Sequence, residues 1–163
     1  DLGPHVIDQS ISLFGVPLRY IKTTCINRPE SEVVDYFNFH LVYPNGLNVY
    51  LTGSLTVLEP EPAIVIHGTL GSVIKRNTDV QEQQLLAGVL PNDPSYGIEM
   101  SGSEGKLVTV SATGEKHVEH LQAPKGNYNL LFNAVYDTLR KNKPYPVKDE
   151  QIMAQIEFLQ ETI

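Results

Sequence analysis

Residues 36–51 read YFNFHLVYPNGLNVYL, and this stretch contains the pattern of a β-hairpin. Across residues 33–42 apolar and polar side chains alternate, which is the two-residue period of a strand with one buried face. The segment Tyr43-Pro44-Asn45-Gly46 combines a proline with an Asn-Gly pair, as tight hairpin turns prefer. We therefore expect an antiparallel return strand along residues 47–58.

The two faces of this hairpin differ in composition. One face is apolar and carries Val33, Phe37, Phe39, Leu41, Leu47, Val49, Leu51, Leu55 and Val57. The other is semi-polar rather than charged and includes Tyr36, His40, Tyr50, Thr52 and Thr56. A semi-polar face of this kind can meet another protein, so we regard it as a candidate assembly surface.

Further strands and helices are predicted on both sides of the hairpin. Strands are expected at 18–28, 63–69, 72–75, 106–111 and 116–121. Helices are expected from the opening residues to Phe14, at 79–88, at 128–142 and at 149–161. The order of helix, strands and helices is typical of an α+β fold, in which an open, predominantly antiparallel sheet carries helices on one face.

Length and composition indicate a single globular domain over residues 1–163. The net charge of −7 argues against nucleic acid or an anionic membrane surface as a partner, because both require a basic patch. The most apolar run, residues 63–66, is far shorter than the roughly 20 residues that span a bilayer. The chain begins with Asp1 rather than Met, so we expect it to come from a longer protein, with a cytoplasmic location by default.

Motifs for nucleotides and metals are weak or absent. The sequence has no G-x-G-x-x-G, and residues 102–106 only faintly resemble a phosphate loop. His117 and His120 are three residues apart, so on a strand they point to opposite faces. No metal site is predicted. The single Cys25 excludes an internal disulfide, and its β-branched neighbours favour a packed, inert thiol.

The remaining candidate for chemistry is the opening segment. If it is helical, Asp1 and His5 are four residues apart and Asp8 follows three residues later, so the three side chains lie along one side. A carboxylate beside an imidazole fixes the ring tautomer and favours the protonated ring, as a proton-transferring histidine requires. By spacing alone, complementation of the helix dipole is the commoner explanation of the same residues.

Several segments together resemble one known family. Residues 1–8 (DLGPHVID) resemble the D-x-G-x-H-x-x-D segment that opens the second domain of the glucose-fructose oxidoreductase and inositol dehydrogenase family (Gfo/Idh/MocA). Residues 67–72 (HGTLGS) resemble its H-G-x-x-G-S turn, and residues 81–88 resemble part of its insert. Residues 126–128 (GNY) and 144–147 (PYPV) resemble its C-terminal tail. The nearest subgroup is that of scyllo-inositol dehydrogenase-like oxidoreductases.

The resemblance implies a glyceraldehyde-3-phosphate dehydrogenase-like C-terminal domain. Members of the family carry an N-terminal Rossmann domain that binds NAD or NADP, and that domain is absent from this chain. The implied partners are the Rossmann domain, a sugar or cyclitol substrate, and further copies in a homodimer or homotetramer that forms through the sheet face. We expect the fragment alone to be inactive, because it lacks a glycine-rich loop for the cofactor.

The resemblance also implies roles for individual residues. His5 matches the catalytic histidine of the family, Asp1 matches its acidic partner, and Asp8 matches a position that supports the helix. The implied reaction interconverts a secondary alcohol and a ketone: His5 takes the hydroxyl proton and the hydride passes to the nicotinamide. The alternative is a non-catalytic module in which the sheet face mediates assembly or binding, and Asp1 and His5 are ordinary helix-start residues.

Overall fold

The structure, a computed structural model, describes residues 2–160. The described residues form the following elements: α1 (Leu2–Phe14), β1 (Arg19–Cys25), β2 (Tyr36–Val42), β3 (Asn48–Ser54), β4 (Ile64–His67), β5 (Gly71–Lys75), α2 (Gln81–Leu86), β6 (Gly105–Val110), β7 (Lys116–Leu121), α3 (Asn129–Lys141) and α4 (Asp149–Gln160). Every strand pair among them is antiparallel, which confirms the predicted α+β class. None of the helices in residues 2–160 is long and apolar enough to cross a membrane.

The chain divides into two compact units. One unit contains the residues up to Leu58 together with those from Asp137 onward, and the other is Glu59–Tyr136. The first unit holds a three-stranded sheet with the order β1-β2-β3, and the second holds a four-stranded sheet with the order β4-β5-β6-β7. The boundary between the units falls within α3.

The predicted hairpin forms β2 and β3. Its turn closes with a bond from the Gly46 amide to the Tyr43 carbonyl at 3.0 Å, and Gly46 adopts a φ of 80°, which glycine tolerates best. The return strand is shorter than predicted, because β2 begins at Tyr36 and its first residue pairs with Ser54. Beyond Ser54 the chain has no strand to pair with, so Leu55 and Val57 are exposed.

The core of the first unit lies between the apolar side of its sheet and the two helices α1 and α4. The buried side chains are Ile7, Ile11, Phe37, Phe39, Leu41, Tyr43 and Phe158. The rings of Phe39 and Phe158 meet edge to face with their centroids 5.1 Å apart. Burying each of these large apolar side chains contributes about 1.5–3 kcal/mol, so this cluster holds α1 in place against the sheet.

A buried carboxylate closes the loop between β1 and β2. The side chain of Asp35 accepts bonds from the backbone amides of Asn27 and Arg28, both at 2.8 Å, and from the side chains of the same two residues. Burial acts to raise the pKa of Asp35, but these bonds outweigh it and hold that pKa below its ordinary value. Asp35 is therefore a structural residue, which the sequence pattern did not single out.

In the second unit, two glutamines of α2 hold loop segments in place. The buried Gln81 side chain accepts a bond from the Tyr128 amide at 3.1 Å, and the Gln84 side chain accepts one from the Gly97 amide at 2.7 Å. Gly97 has a φ of 78°, and a Cβ at this position would lie 2.2 Å from the Gly126 carbonyl oxygen. Only glycine fits there.

Candidate active site

The helix α1 presents one buried and one exposed side. Its buried residues are Gly3, Ile7, Ser10 and Ile11, which recur at three- and four-residue spacing. The helix ends as predicted, because Gly15 adopts a φ of 80° and its amide donates to the Ile11 carbonyl at 2.9 Å. The side opposite Ile7 and Ile11 is consequently open.

Two polar contacts add to the apolar packing of α1. The side-chain amide of Gln155, on α4, donates to the Pro4 carbonyl at 2.7 Å. Farther along the helix, the hydroxyls of Ser10 and Tyr43 lie 3.0 Å apart and form a buried bond. Burial raises the pKa of Tyr43, while the bond with Ser10 acts in the opposite direction. These contacts attach α1 near its start and near its end, so its exposed side chains project from a rigid support.

His5 lies on the exposed side of this helix. Successive residues are about 100° apart around an α-helix, so His5 and the neighbouring Gln9 face away from the buried Ile7 and Ile11, and both are exposed. Within residues 2–160, no side chain forms a hydrogen bond with the His5 imidazole. Among residues 2–160 neither ring nitrogen is engaged, so the exposed ring can exchange a proton with an incoming group.

The structure describes one of the two carboxylates that were predicted beside His5. Asp8 is exposed on α1, one turn beyond His5, and the two side chains are not hydrogen-bonded. Asp1 lies outside the described residues, so the pairing of Asp1 with His5 stays a prediction. The described part of the site is an unpaired imidazole on a fixed helix, with a carboxylate one turn away.

The other histidines have structural partners or lie on exposed strands. The His40 ring stacks on Tyr50 with centroids 4.5 Å apart, and its Nε2 lies 2.8 Å from the Asn48 side-chain oxygen. His67 Nδ1 lies 2.9 Å from the Ser72 hydroxyl. Within residues 2–160, no group of three or more His, Cys, Asp or Glu side chains is placed to hold a metal ion.

The prediction for Cys25 was wrong. Its side chain is exposed rather than packed, because β1 alternates and Cys25 falls on the side that faces away from the core. Cys25 pairs with Tyr36 of the neighbouring strand β2, so its side chain lies on the predicted semi-polar face of the sheet. Its β-branched neighbours indicated a strand correctly, but they did not indicate which side of that strand would be buried.

One polar pair that the sequence pattern missed lies in the second unit. The Tyr128 hydroxyl donates to the Asp79 carboxylate, and this bond raises the pKa of Tyr128 to about 12. Asp79 also accepts a bond at 2.8 Å from the backbone amide of Gln81, the first residue of α2. The helix predicted over residues 79–88 includes Asp79, so its spacing indicated neither the bond with Gln81 nor Tyr128 as a second partner.

Comparison with protein families agrees with the resemblance of the motifs. A model of the C-terminal alpha/beta domain of an oxidoreductase family, Gfo/Idh/MocA, matches residues 1–163. The chain belongs to this family. The match to Gfo/Idh/MocA extends over every helix and strand described above.

Individual Gfo/Idh/MocA relatives extend the comparison. The scyllo-inositol 2-dehydrogenase (NADP(+)) IolW of Bacillus subtilis (strain 168) is 34% identical over 151 residues, which cover 93% of this chain and 42% of IolW. The oxidoreductase YdgJ of Escherichia coli (strain K12) is 32% identical over 161 residues, which cover 98% of this chain and 45% of YdgJ. The chain therefore spans about half the length of these relatives or somewhat less.

A solved Gfo/Idh/MocA structure shares the fold. The crystal structure of an oxidoreductase from Bacillus cereus superimposes with a TM-score of 0.90 at 34% identity, and the match covers 98% of this chain and 54% of that one. The fold, including the helix that carries His5, is thus that of an oxidoreductase C-terminal domain.

Proposed function

We propose that this chain is the substrate-binding, catalytic and oligomerisation domain of a longer NAD(P)-dependent oxidoreductase. The reaction interconverts a secondary alcohol and a ketone on a sugar or cyclitol. The observation that carries the proposal is the exposed His5 imidazole on the rigid helix α1, in a chain that is similar to a scyllo-inositol 2-dehydrogenase.

In this proposal His5 acts as the general base and acid. Its imidazole takes the proton of the reacting hydroxyl during oxidation and returns it during reduction. Asp1 orients the ring and stabilises its protonated form, and Asp8 supports the helix. Positioned proton transfer of this kind contributes typically about 10² to 10⁴-fold to the rate.

The cofactor belongs to the rest of the parent protein. Residues 2–160 contain only antiparallel strand pairs, so they lack the βαβ unit with a glycine-rich turn that cradles a dinucleotide. The described residues 2–160 therefore do not form a Rossmann-type dinucleotide site of their own. A nicotinamide held by a preceding Rossmann domain supplies the hydride chemistry, and the chain's own contribution is limited to substrate binding and proton transfer.

Replacing His5 tests the proposal. In the parent protein, His5→Ala lowers kcat by about 10² to 10⁴-fold while the affinity for the cofactor stays close to normal. The matched control is Gln9→Ala, one turn away on the same exposed side, which leaves kcat nearly unchanged. The assay uses a panel of sugars and inositols with NAD and with NADP.

Two results contradict the proposal. Equal kcat values for His5→Ala and the parent remove His5 from the mechanism. If the intact parent oxidises no member of the panel with either cofactor, the proposed activity fails, and the non-catalytic assembly module becomes the better hypothesis.

Assembly is proposed to occur through the semi-polar face of the three-stranded sheet. This face holds Arg19, Ile21, Thr23, Cys25, Tyr36, Asn38, His40, Val42, Asn48, Tyr50, Thr52 and Ser54, and it includes no carboxylate. Depletion of charge together with aromatic side chains is typical of the centre of a protein interface. The face supports a homodimer or homotetramer.

A charge placed on this face tests the assembly. Thr52→Lys in the parent places one lysine of each copy within the interface, so we expect sedimentation to show dissociation into monomers. Thr113→Lys, in the exposed turn between β6 and β7, is the matched control and leaves the assembly intact. A parent that is monomeric before any substitution contradicts this part of the proposal.

A further inference from the structure

The first turn of α1, which carries His5, is joined to α4 by a hydrogen bond. The side-chain amide of Gln155 donates to the carbonyl of Pro4, the residue directly before His5, and the two atoms lie 2.7 Å apart. Gln155 is half-buried, and both helices belong to the same compact unit of the chain. A side chain of α4 thus reaches the backbone beside the candidate proton-transferring group.

The helix α1 does not need this bond to satisfy its own backbone. In an α-helix a carbonyl accepts the amide of the residue four positions later, which for Pro4 is the amide of Asp8. A carbonyl oxygen has two lone pairs, so the Gln155 amide is a second donor to the same acceptor. The contribution of the bond is therefore positional: it fixes where the first turn of α1 lies relative to α4.

The start of a helix benefits most from such a bond. The first four amides of an α-helix have no partner within the helix, so its first turn opens more easily than its centre. His5 is the fourth residue of α1, whereas the buried Ile7 and Ile11 come later. Without the bond from Gln155, the apolar core would still hold the centre of α1, but the turn with His5 would be held less tightly.

Gln155 is itself held in place by the packing of its own helix. Phe158, one turn farther along α4, is buried, and its ring lies against Tyr20 with the centroids 4.3 Å apart. The side-chain ammonium of Lys22, on β1, donates to the Phe158 carbonyl at 2.6 Å. These contacts attach α4 to the sheet, so the Gln155 amide is a fixed point from which Pro4 is positioned.

We propose that Gln155 is a positioning residue for His5. Its amide holds the Pro4 carbonyl and thereby sets the direction in which the His5 imidazole meets the reacting hydroxyl. The inference rests on the proposed function in taking His5 as the proton-transferring group. Because a displacement of about 1 Å can cost about 10²-fold in rate, a modest shift of this turn is enough to slow proton transfer.

Two substitutions in the parent protein test the proposal. Gln155→Met keeps the length of the side chain and removes the donor. Gln155→Glu keeps the shape, but an ionised carboxylate cannot donate and repels the Pro4 carbonyl. We expect both variants to lower kcat about ten-fold at neutral pH and to change KM less than about two-fold, because the substrate still binds while the imidazole is misdirected. Gln160→Met, the same change at an exposed position of α4, is the matched control and leaves kcat unchanged.

A pH profile separates positioning from a loss of stability. A protonated carboxyl group can donate a hydrogen bond as the amide does. We therefore expect the kcat of Gln155→Glu, relative to that of the original parent, to recover as the pH falls from neutral towards about 5, because glutamate has an ordinary pKa of about 4.3. The relative kcat of Gln155→Met stays constant over the same range, since methionine does not titrate.

A double substitution shows whether Gln155 acts through His5. If it does, Gln155→Met lowers kcat in the original parent but has no further effect in the His5→Ala variant, because the group that Gln155 positions is gone. Losses that multiply in the double variant overturn the inference, as does a rise in KM at constant kcat. If Gln155→Met does not fold, Gln155→Glu at neutral pH provides the same comparison.

The kinetics also distinguish failure of this inference from failure of the proposed function. A normal kcat for His5→Ala alone contradicts the proposed function. A low kcat for His5→Ala, together with a normal kcat for both Gln155 variants, contradicts only the positioning by Gln155.

Discussion

The helices α1 and α3 have the same length, 13 residues, and opposite surroundings. In α1 the apolar side is buried, with Ile7 and Ile11 in the core, and the polar side with His5 is exposed. In α3 the apolar residues Leu131, Phe132, Val135 and Leu139 are exposed, and no residue is buried. The comparison shows that a helical pattern predicts which side is apolar, while the rest of the protein decides which side is left available.

A helix held by its apolar side can offer a polar residue for chemistry from a fixed position, as α1 offers His5. The helix α3 has no buried residue and therefore no comparable support. The following substitutions compare the two helices on a common scale of unfolding free energy.

The largest difference is expected between apolar residues of the two helices. Ile7 is fully buried, so Ile7→Ala in the isolated chain lowers the free energy of unfolding by about 2–5 kcal/mol. Leu131 is exposed on α3, so Leu131→Ala changes it by less than about 0.5 kcal/mol. Urea unfolding followed by circular dichroism measures both. Similar losses for the two variants would show that Leu131 is buried in solution and would contradict the comparison.

A smaller effect is expected at the polar contact that holds α1. Ser10→Ala removes the buried bond to the Tyr43 hydroxyl and lowers the free energy of unfolding by about 1–3 kcal/mol. It also raises the pKa of Tyr43 further, because the bond with Ser10 opposes the effect of burial. Ser12→Ala, exposed on the same helix, is the control. If absorbance titration of the tyrosines is identical in the Ser10→Ala variant and the original chain, the bond does not form in solution.

The smallest effect is expected at the charged end of α3. The side chains of Lys141 and Lys143 each lie 2.7 Å from the Asp137 carboxylate, and their bonds, Lys141 first, lower the pKa of Asp137 below its usual 3.8. The stabilisation is complete above 3.8 and is lost as the pH falls through the lowered pKa. Such exposed pairs contribute little.

Thermal melts at successive pH values measure this contribution. We expect Asp137→Asn to melt slightly below the original chain at neutral pH, with the gap closing in acid and shrinking in concentrated salt. A gap that widens on acidification would mean that Asp137 is protonated in the folded chain, contrary to the lowered pKa.

Local patterns predicted much of the fold. Alternation and the Asn45-Gly46 pair predicted the hairpin because strand period and turn preference are properties of neighbouring residues. The end of β3 at Ser54 was not predicted, because it depends on where β2 begins. Tyr36, the first residue of β2, pairs with Ser54 and lies 18 residues before it in the sequence. The separation of the strands into two sheets was missed for the same reason, since alternation does not say which strands are neighbours.

Local patterns also predicted part of the candidate site. Helical spacing predicted that His5 and Asp8 lie along one side of α1, and both are exposed, while Asp1 lies outside the described residues. The spacing did not predict the contact of Gln155 with the Pro4 carbonyl, because α4 is far away in the sequence. The structural role of Asp35 was not predicted, because it depends on hydrogen bonds from Asn27 and Arg28. Only the folded loop brings these two residues close to its carboxylate.

The close approach of Gly97 to the Gly126 carbonyl has a practical consequence for protein engineering. A saturation library at codon 97 should return glycine almost alone, because every side chain meets both an unfavourable φ and a backbone atom. Sequence diversity is better introduced at the exposed residues 91 and 92 of the same loop, because the Pro94 and Ser95 carbonyls accept bonds from the Lys125 and Gln84 side chains.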